Sequence, residues 1–426
     1  MVTTTQRMGP IGLHRGSRLH HGIGFWSVAF TFLTLAAFTT VPSPLYGLYQ
    51  SRDGFSTFTL TLVYAAYAVG VIGALAFAGH LSDWYGRRRL LIPAAVLAVA
   101  SALVFLTWTT VPGLLLARVL SGVSIGLAQS TATAYLAELH AHHRPDASPT
   151  RAQVTATTVN MGGLGLGALV AGLLAQWTGD PLQVPYVVFM IAALIAIAAV
   201  WLSPETREPI RPRPRYRPQR PSVPAEARGE YYAASLSALV VFATLGLFAG
   251  LAGLFLSQVL RHPSHALLGV ALFAVFSAGV AAQLLTLKWK VGRVLAVGMA
   301  LMLVGLAAIV ISVWLPAPSL ALFIASGVLT GAGGGAIFKG AVGTVISLSP
   351  PETRAGALAG TYLAAFVGLS VPIVGAGVAL AAGASPPATL LGFALVVAAG
   401  IGIAAVMLFS PKHAEASLSH RDGEPR

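Results

Sequence analysis

Apolar stretches of about 20 residues recur along this 426-residue chain, separated by short polar segments. Each is long enough to cross about 30 Å of hydrocarbon as a helix. Inside a bilayer no water satisfies backbone N–H and C=O groups, so only helices and closed barrels can span it. The apolar runs are too long and continuous for barrel strands, which leaves helices. Composition agrees: 56% of residues are hydrophobic, 9% are charged, and mean hydropathy is +0.78. Soluble domains carry roughly 25% charged residues, so this chain could not wet a water-exposed surface. There is no cysteine, which excludes disulfides, thiol catalysis and thiolate metal sites.

The predicted spans are 24–49, 57–79, 90–108, 112–138, 152–177, 184–202, 233–258, 266–287, 294–315, 319–347, 355–381 and 388–409. Pro112, after Thr109-Thr110-Val111, fits the start of the fourth helix. Residues 1–22 are polar and basic, with no small-residue cleavage site after a short apolar core. They read as a mobile cytoplasmic tail before a first spanning helix.

Charge orients the chain. With the N-terminus inside, one face receives Arg7, Arg15, Arg18, Arg87 to Arg89, Arg144, Arg151, the arginines of 207–228, Lys288, Lys290, Arg293, Arg354, Lys412, Arg421 and Arg426. The opposite face receives only Arg52 and Arg261. By the positive-inside rule the arginine-rich face is cytoplasmic, with both termini there. This describes a multi-pass protein of a bacterial plasma (inner) membrane. The net charge of +13 is then a topological signal. No basic helix or stacking platform accompanies it, so no nucleic-acid partner is expected.

A break at 204–230 divides the chain into bundles at 23–203 and 231–410, followed by a tail at 411–426. Proline alternates with arginine from Pro209 to Pro221, which predicts an extended tether. It serves as a flexible linker or contacts anionic lipid headgroups at the cytoplasmic face. Arg118, Gly122 and Gly126 in helix 4 have the same spacing as Gly327, Gly331 and Gly335 in helix 10, as paired halves require. Pro204-Glu205-Thr206-Arg207 and Pro351-Glu352-Thr353-Arg354 do not fall at equivalent positions and carry no weight as a repeat.

The loop after helix 2 reads Gly79-His80-Leu81-Ser82-Asp83-Trp84-Tyr85-Gly86-Arg87-Arg88-Arg89. This order resembles the signature of the major facilitator superfamily between its second and third helices. The resemblance implies an all-α fold of twelve transmembrane helices in two pseudo-symmetric six-helix bundles, working by alternating access. It also implies a gate or latch built from Gly79, Asp83, Gly86, Arg87, Arg88 and Glu138. Asp83 would engage the opposite half while the outside is open, and Arg87 would pair with Glu138. The alternative is that Arg87 to Arg89 only set topology. The second-half copy, Gln283 to Arg293, keeps a glycine and basic residues but has no aspartate.

Arg118 lies within helix 4, where a charge costs roughly 2.5–3.5 kcal/mol on insertion scales and commonly faces a cavity or a partner. Arg118-Val119-Leu120-Ser121-Gly122-Val123-Ser124-Ile125-Gly126 resembles the helix 4 signature of proton-coupled drug exporters, which implies a coupling role for Arg118. The alternative is an arginine that satisfies helix-end carbonyls of a neighbour. Lys339 shares a face with Gly327, Gly331 and Gly335. Cavity and snorkelling readings are both open for it. Arg118, Gln129 and Lys339 are the candidate coupling or substrate residues. Every Asp and Glu falls in a loop or at a helix end, and no histidine lies mid-membrane. The core therefore lacks the groups that titrate near neutral pH, and two cavity cations favour an anionic substrate.

Gly163, Gly167 and Gly172 belong to a run resembling the glycine signature of exporters, with Ala168 where proline is usual. With Gly122, Gly126, Gly331 and Gly335 they are also candidates for close helix packing. Pro42 and Pro44 predict a bend at the outer end of helix 1. Tyr46, Tyr49, Tyr64 and Tyr67 read as an interfacial belt, with an outer vestibule as the alternative. Glu138-Leu139-His140-Ala141-His142-His143 completes no ligand spacing, so no metal and no cofactor is expected.

The resulting expectation is a secondary transporter of the drug:proton antiporter-like branch. It would export small amphipathic or anionic organic compounds, with protons as the candidate coupling ion. The alternatives are a uniporter or importer of organic acids, a transporter-fold sensor, or a membrane enzyme. The last lacks any nucleophile–base or carboxylate pair in the core.

Overall fold

The structure is a computed structural model that describes residues 15–78, 81–207, 223, 225–350 and 353–409. Gly79 of the loop signature, most of the Pro/Arg tether and the C-terminal tail lie outside the described residues.

All regular structure among the described residues is helical. The first half holds α1 (Arg15–Thr40), α2 (Tyr46–Asp53), α3 (Thr57–Ala78), α4 (Leu81–Tyr85), α5 (Arg87–Thr107), α6 (Val111–His143), α7 (Thr150–Trp177) and α8 (Val184–Trp201). The second holds α9 (Arg228–Leu254), α10 (His265–Leu285), α11 (Val291–Trp314), α12 (Leu320–Leu348), α13 (Arg354–Ala381) and α14 (Pro386–Phe409). Among the described residues twelve helical spans are long and apolar enough to cross a bilayer. The first helix begins at Arg15, inside the stretch expected to be a mobile tail, because polarity alone does not stop a helix. The chain leaves it at Thr40 and resumes as α2 at Tyr46, with Pro42 and Pro44 in the gap.

Glycines set the packing inside each half. A Cβ on Gly70 of α3 would strike the Val119 carbonyl of α6, and one on Gly122 would strike the Tyr67 carbonyl. In the second half Gly279 of α10 meets Gly331 and Gly335 of α12 in the same way. Gly70, Gly122 and Gly126 map onto Gly279, Gly331 and Gly335 by one constant residue offset. The two halves thus repeat one helix crossing, with backbones close enough that only glycine fits.

The halves meet along α3 against α13 and α7 against α10. At the charge-poor end the halves touch beside a cavity of about 530 Å³ lined by both, with Tyr46, Leu60, Leu254 and His265 among its walls. A Cβ on Gly377 would touch Thr61, and Gly250 faces the Tyr64 ring and Ile373. His265 Nδ1 lies 3.0 Å from the Pro44 carbonyl, and Gln176 Oε1 accepts from Ser264 Oγ (3.1 Å) and the His265 N–H (3.0 Å). Toward the arginine-rich end the seam loosens. Thr133, one turn beyond Gln129 on the inward face of α6, is exposed.

Large apolar side chains cover the outer faces, among them Ile195, Leu395 and Val406. Such coverage suits a lipid surround. Tyr46, Tyr49, Tyr64 and Tyr67 are instead at most 7% exposed. The expected interfacial belt is therefore corrected: these rings face inward, and Tyr49 hydrogen-bonds through its hydroxyl to that of Tyr186 at 3.2 Å.

Candidate functional site

A cavity of about 80 Å³ lies between the halves. Its walls are mainly aromatic and aliphatic, with Tyr64, Tyr67, Phe242, Phe276, Phe338 and Phe366 prominent. Polar groups are few: Thr39, Thr40, Ser43, Arg118, Gln129 and Asn160. Asn160, an amide midway along α7, was missed in the sequence reading. Gln129 lies near the Tyr362 side chain across the seam.

Arg118 is the only charged side chain on that wall among the described residues, and it is 2% exposed. The α3–α6 crossing brings Tyr67 and Tyr64 beside it, with ring centroids 4.7 and 5.5 Å from the guanidinium carbon. Helix α1 ends at Thr40, so its last carbonyls lack intrahelical donors. One guanidinium nitrogen donates to the Thr39 carbonyl at 2.7 Å. The helix-end role raised from sequence is thus realised on a residue that also lines the cavity. Its Nε is buried with no hydrogen-bond partner, as is the Tyr46 hydroxyl. No carboxylate pairs with Arg118 among the described residues. Burying a cation without a counterion is costly unless a ligand supplies one.

Lys339 is not part of this wall. Its shared face with Gly331 and Gly335 packs on α10, not on the cavity. The ammonium donates to the Gln283 carbonyl (3.0 Å) and to Thr286 Oγ1 (3.1 Å) at the C-terminal end of α10. This corrects its placement as a cavity charge: it neutralises the negative end of a helix. The glycines of α7 also act in packing. Gly163 and Gly167 fit against α1, and Gly172 fits against His265 and Gly269 across the seam.

The second site is an ion-pair network at the arginine-rich end. Asp83, Gly86, Arg87, Arg88 and Glu138 all meet there. Arg87 is 5% exposed. It lies 2.7 Å from Asp83 and 2.9 Å from Glu138, and donates to Ser82 Oγ at 2.6 Å. Gly86 has φ of 104°, a region that favours glycine. Arg88 donates to the carbonyls of Trp201 (3.1 Å) and Ser203 (3.3 Å).

Glu205 completes this network and was missed from sequence. Its carboxylate accepts from the backbone N–H groups of Arg87 (2.8 Å) and Arg88 (3.1 Å), and so caps α5. Thr206 donates to Glu138 at 2.6 Å, and Arg207 stands 3.7 Å from it. Tyr135 donates to the Pro204 carbonyl at 2.6 Å. The signal was Pro204-Glu205-Thr206-Arg207, set aside in the sequence because it failed as a repeat.

Similarity to known proteins agrees with this architecture. Over 100 residues the chain is 33% identical to the arabinose-proton symporter of Bacillus subtilis (strain 168), covering 24% of this chain and 22% of the symporter. It is 32% identical over 138 residues to a D-xylose-proton symporter-like protein of Arabidopsis thaliana, covering 30% and 26%. The chain thus matches about a quarter of the length of these curated relatives. The fold superposes on a mutant of the nucleoside transporter NupG with a TM-score of 0.65 at 12% identity, over 91% of this chain and 98% of that one. These relatives are not drug:proton antiporters, so they lend the expected exporter branch no support. The sequence pattern of the Major Facilitator Superfamily matches residues 28–315, more than half the chain. With twelve spans in two bundles around a central cavity, the chain belongs to the Major Facilitator Superfamily of membrane transporters.

Proposed function

We propose that this transporter carries small amphipathic organic anions, such as aromatic carboxylates, by alternating access. The observation that carries this reading is Arg118, a buried cation without a carboxylate partner on a mainly apolar cavity wall. A bound carboxylate would supply the missing counterion, and the flanking rings would take its apolar body. The arginine-rich end faces the cytoplasm on this reading. The halves touch at the charge-poor end through Thr61 and Gly377, and on this reading the form described loads from inside. In it Asp83 is held by Arg87 in its own half. When the outer end opens, Asp83 is the group free to engage the opposite half.

No Asp, Glu or His lines the cavity among the described residues, and arginine does not release its proton. The cavity wall thus holds no protein group to carry a proton, and the substrate is carried as the anion that pairs with Arg118. Direction follows the electrochemical gradient of the anion, so export is not built in. A second reading is sugar–proton symport, favoured by the names of the two curated relatives. Against it, a neutral sugar would leave the buried Arg118 cation without a counterion.

The test is flux in proteoliposomes under an imposed pH gradient, using benzoate, arabinose, xylose and uridine. Benzoate flux above that of protein-free liposomes, lost in Arg118→Gln, supports the proposal. Accumulation of a sugar with no benzoate flux replaces it with the second reading.

A further inference from the structure

At the arginine-rich end, α1, α6 and α7 enclose a second cavity of about 280 Å³, separate from the transport path. Gly22, Phe25 and Trp26 of α1 form one wall, and His140, His143, Arg144 and Arg151 form the rest. Gly22 makes room for it, since a Cβ there would press on the His143 ring. His140 is held by the Ser148 carbonyl at 3.1 Å, and Arg151 stands over Trp26 at 5.9 Å. Arg144 and Arg151 are exposed, and neither has an ion-pair partner among the described residues. Asp146 lies in the same loop but pairs with neither.

The chemistry of this basin is two guanidiniums and two imidazoles, which suits a phosphate. Its position suits a lipid. Ile23, Trp26 and Phe30 are 69%, 57% and 37% exposed, and their spacing places them in one stripe along α1. The stripe runs from the basin along the apolar part of the helix. A lipid-facing stripe that continues directly from a cationic basin matches a phospholipid, whose phosphate and acyl chains are joined. We propose that the basin is a binding site for an anionic phospholipid. Its headgroup phosphate lies between Arg144 and Arg151, and an acyl chain follows Ile23, Trp26 and Phe30. Trp26 joins the two parts at the depth where indole rings settle in membranes.

Native mass spectrometry of the purified full-length protein tests this. Phosphatidylglycerol, phosphatidylcholine and inorganic phosphate are titrated against wild type, Arg144→Gln/Arg151→Gln, and the charge-matched control Lys288→Gln/Lys290→Gln. The expected result is retention of phosphatidylglycerol over phosphatidylcholine. Loss of two basic contacts should weaken it about tenfold or more, with the control close to wild type. Trp26→Ala should weaken retention without a change of charge. Equal weakening in the lysine control would show diffuse surface attraction and overturn the site. Unchanged retention in the arginine variant would also overturn it. Displacement of the lipid by inorganic phosphate would show a soluble-anion site and overturn the lipid assignment.

Discussion

Arg118 and Tyr67 face each other across the α3–α6 crossing, with the guanidinium carbon 4.7 Å from the ring centroid. The contact exists because Gly122 lies against the Tyr67 carbonyl. A contact of this kind, buried, contributes about 2 kcal/mol, less than an ionic partner would. The cation is thus held in place but remains available to an anion.

Arg118→Gln should therefore remove anion recognition while the bundle still assembles. Stabilisation by benzoate in a thermal-shift assay should disappear, and benzoate flux should fall at least tenfold. Arg118→Lys keeps the charge but has a shorter reach and no planar fork, and should recover part of the binding. Full benzoate flux in Arg118→Gln would contradict the proposed site.

The crossing itself predicts a contrast between glycines of one helix. Gly70→Val places a side chain into the Val119 carbonyl, whereas Gly73 has open space beside it. Gly70→Val should lower stability by about 3 kcal/mol and abolish ligand binding. Gly73→Ala should be close to neutral. Melting curves of the two variants check this.

Glu205 makes the clearest prediction at the arginine-rich end. Glu205→Gln weakens the cap on α5 and should cost about 1 kcal/mol. Glu138→Gln removes a partner of buried Arg87 and should cost on the order of 2 kcal/mol, because Asp83 and Ser82 remain. The order of melting temperatures, Glu205→Gln above Glu138→Gln, is the outcome to measure.

Lys339→Met should lower stability by about 1 kcal/mol through loss of the α10 helix-end contacts, and leave benzoate flux near the wild-type rate. Loss of flux at unchanged melting temperature would return Lys339 to the cavity.

The charge-poor end can be locked chemically. The chain has no native cysteine, so Thr61→Cys with Gly377→Cys introduces one pair, at side chains within contact distance. Oxidation should stop flux, and a reductant should restore it. Undiminished flux in the oxidised, cross-linked protein would mean that this end need not open.

Much of this was legible in the sequence. The apolar runs alone require transmembrane helices, because an unpaired backbone group has no partner in hydrocarbon. The segregation of arginine defines which ends lie together, and the spacing of Gly122 and Gly126 with Gly331 and Gly335 marks the internal repeat. These are local or periodic properties that a linear pattern can hold. The tertiary structure decided which way each charge faces. Arg118 and Lys339 looked alike as intramembrane cations, yet one lines the cavity and the other reaches the end of α10. Spacing tells which residues share a helix face, but not what that face meets. Glu205 shows the same limit: it caps a helix more than a hundred residues earlier in the chain. Only the packed bundle brings those backbone N–H groups to its carboxylate.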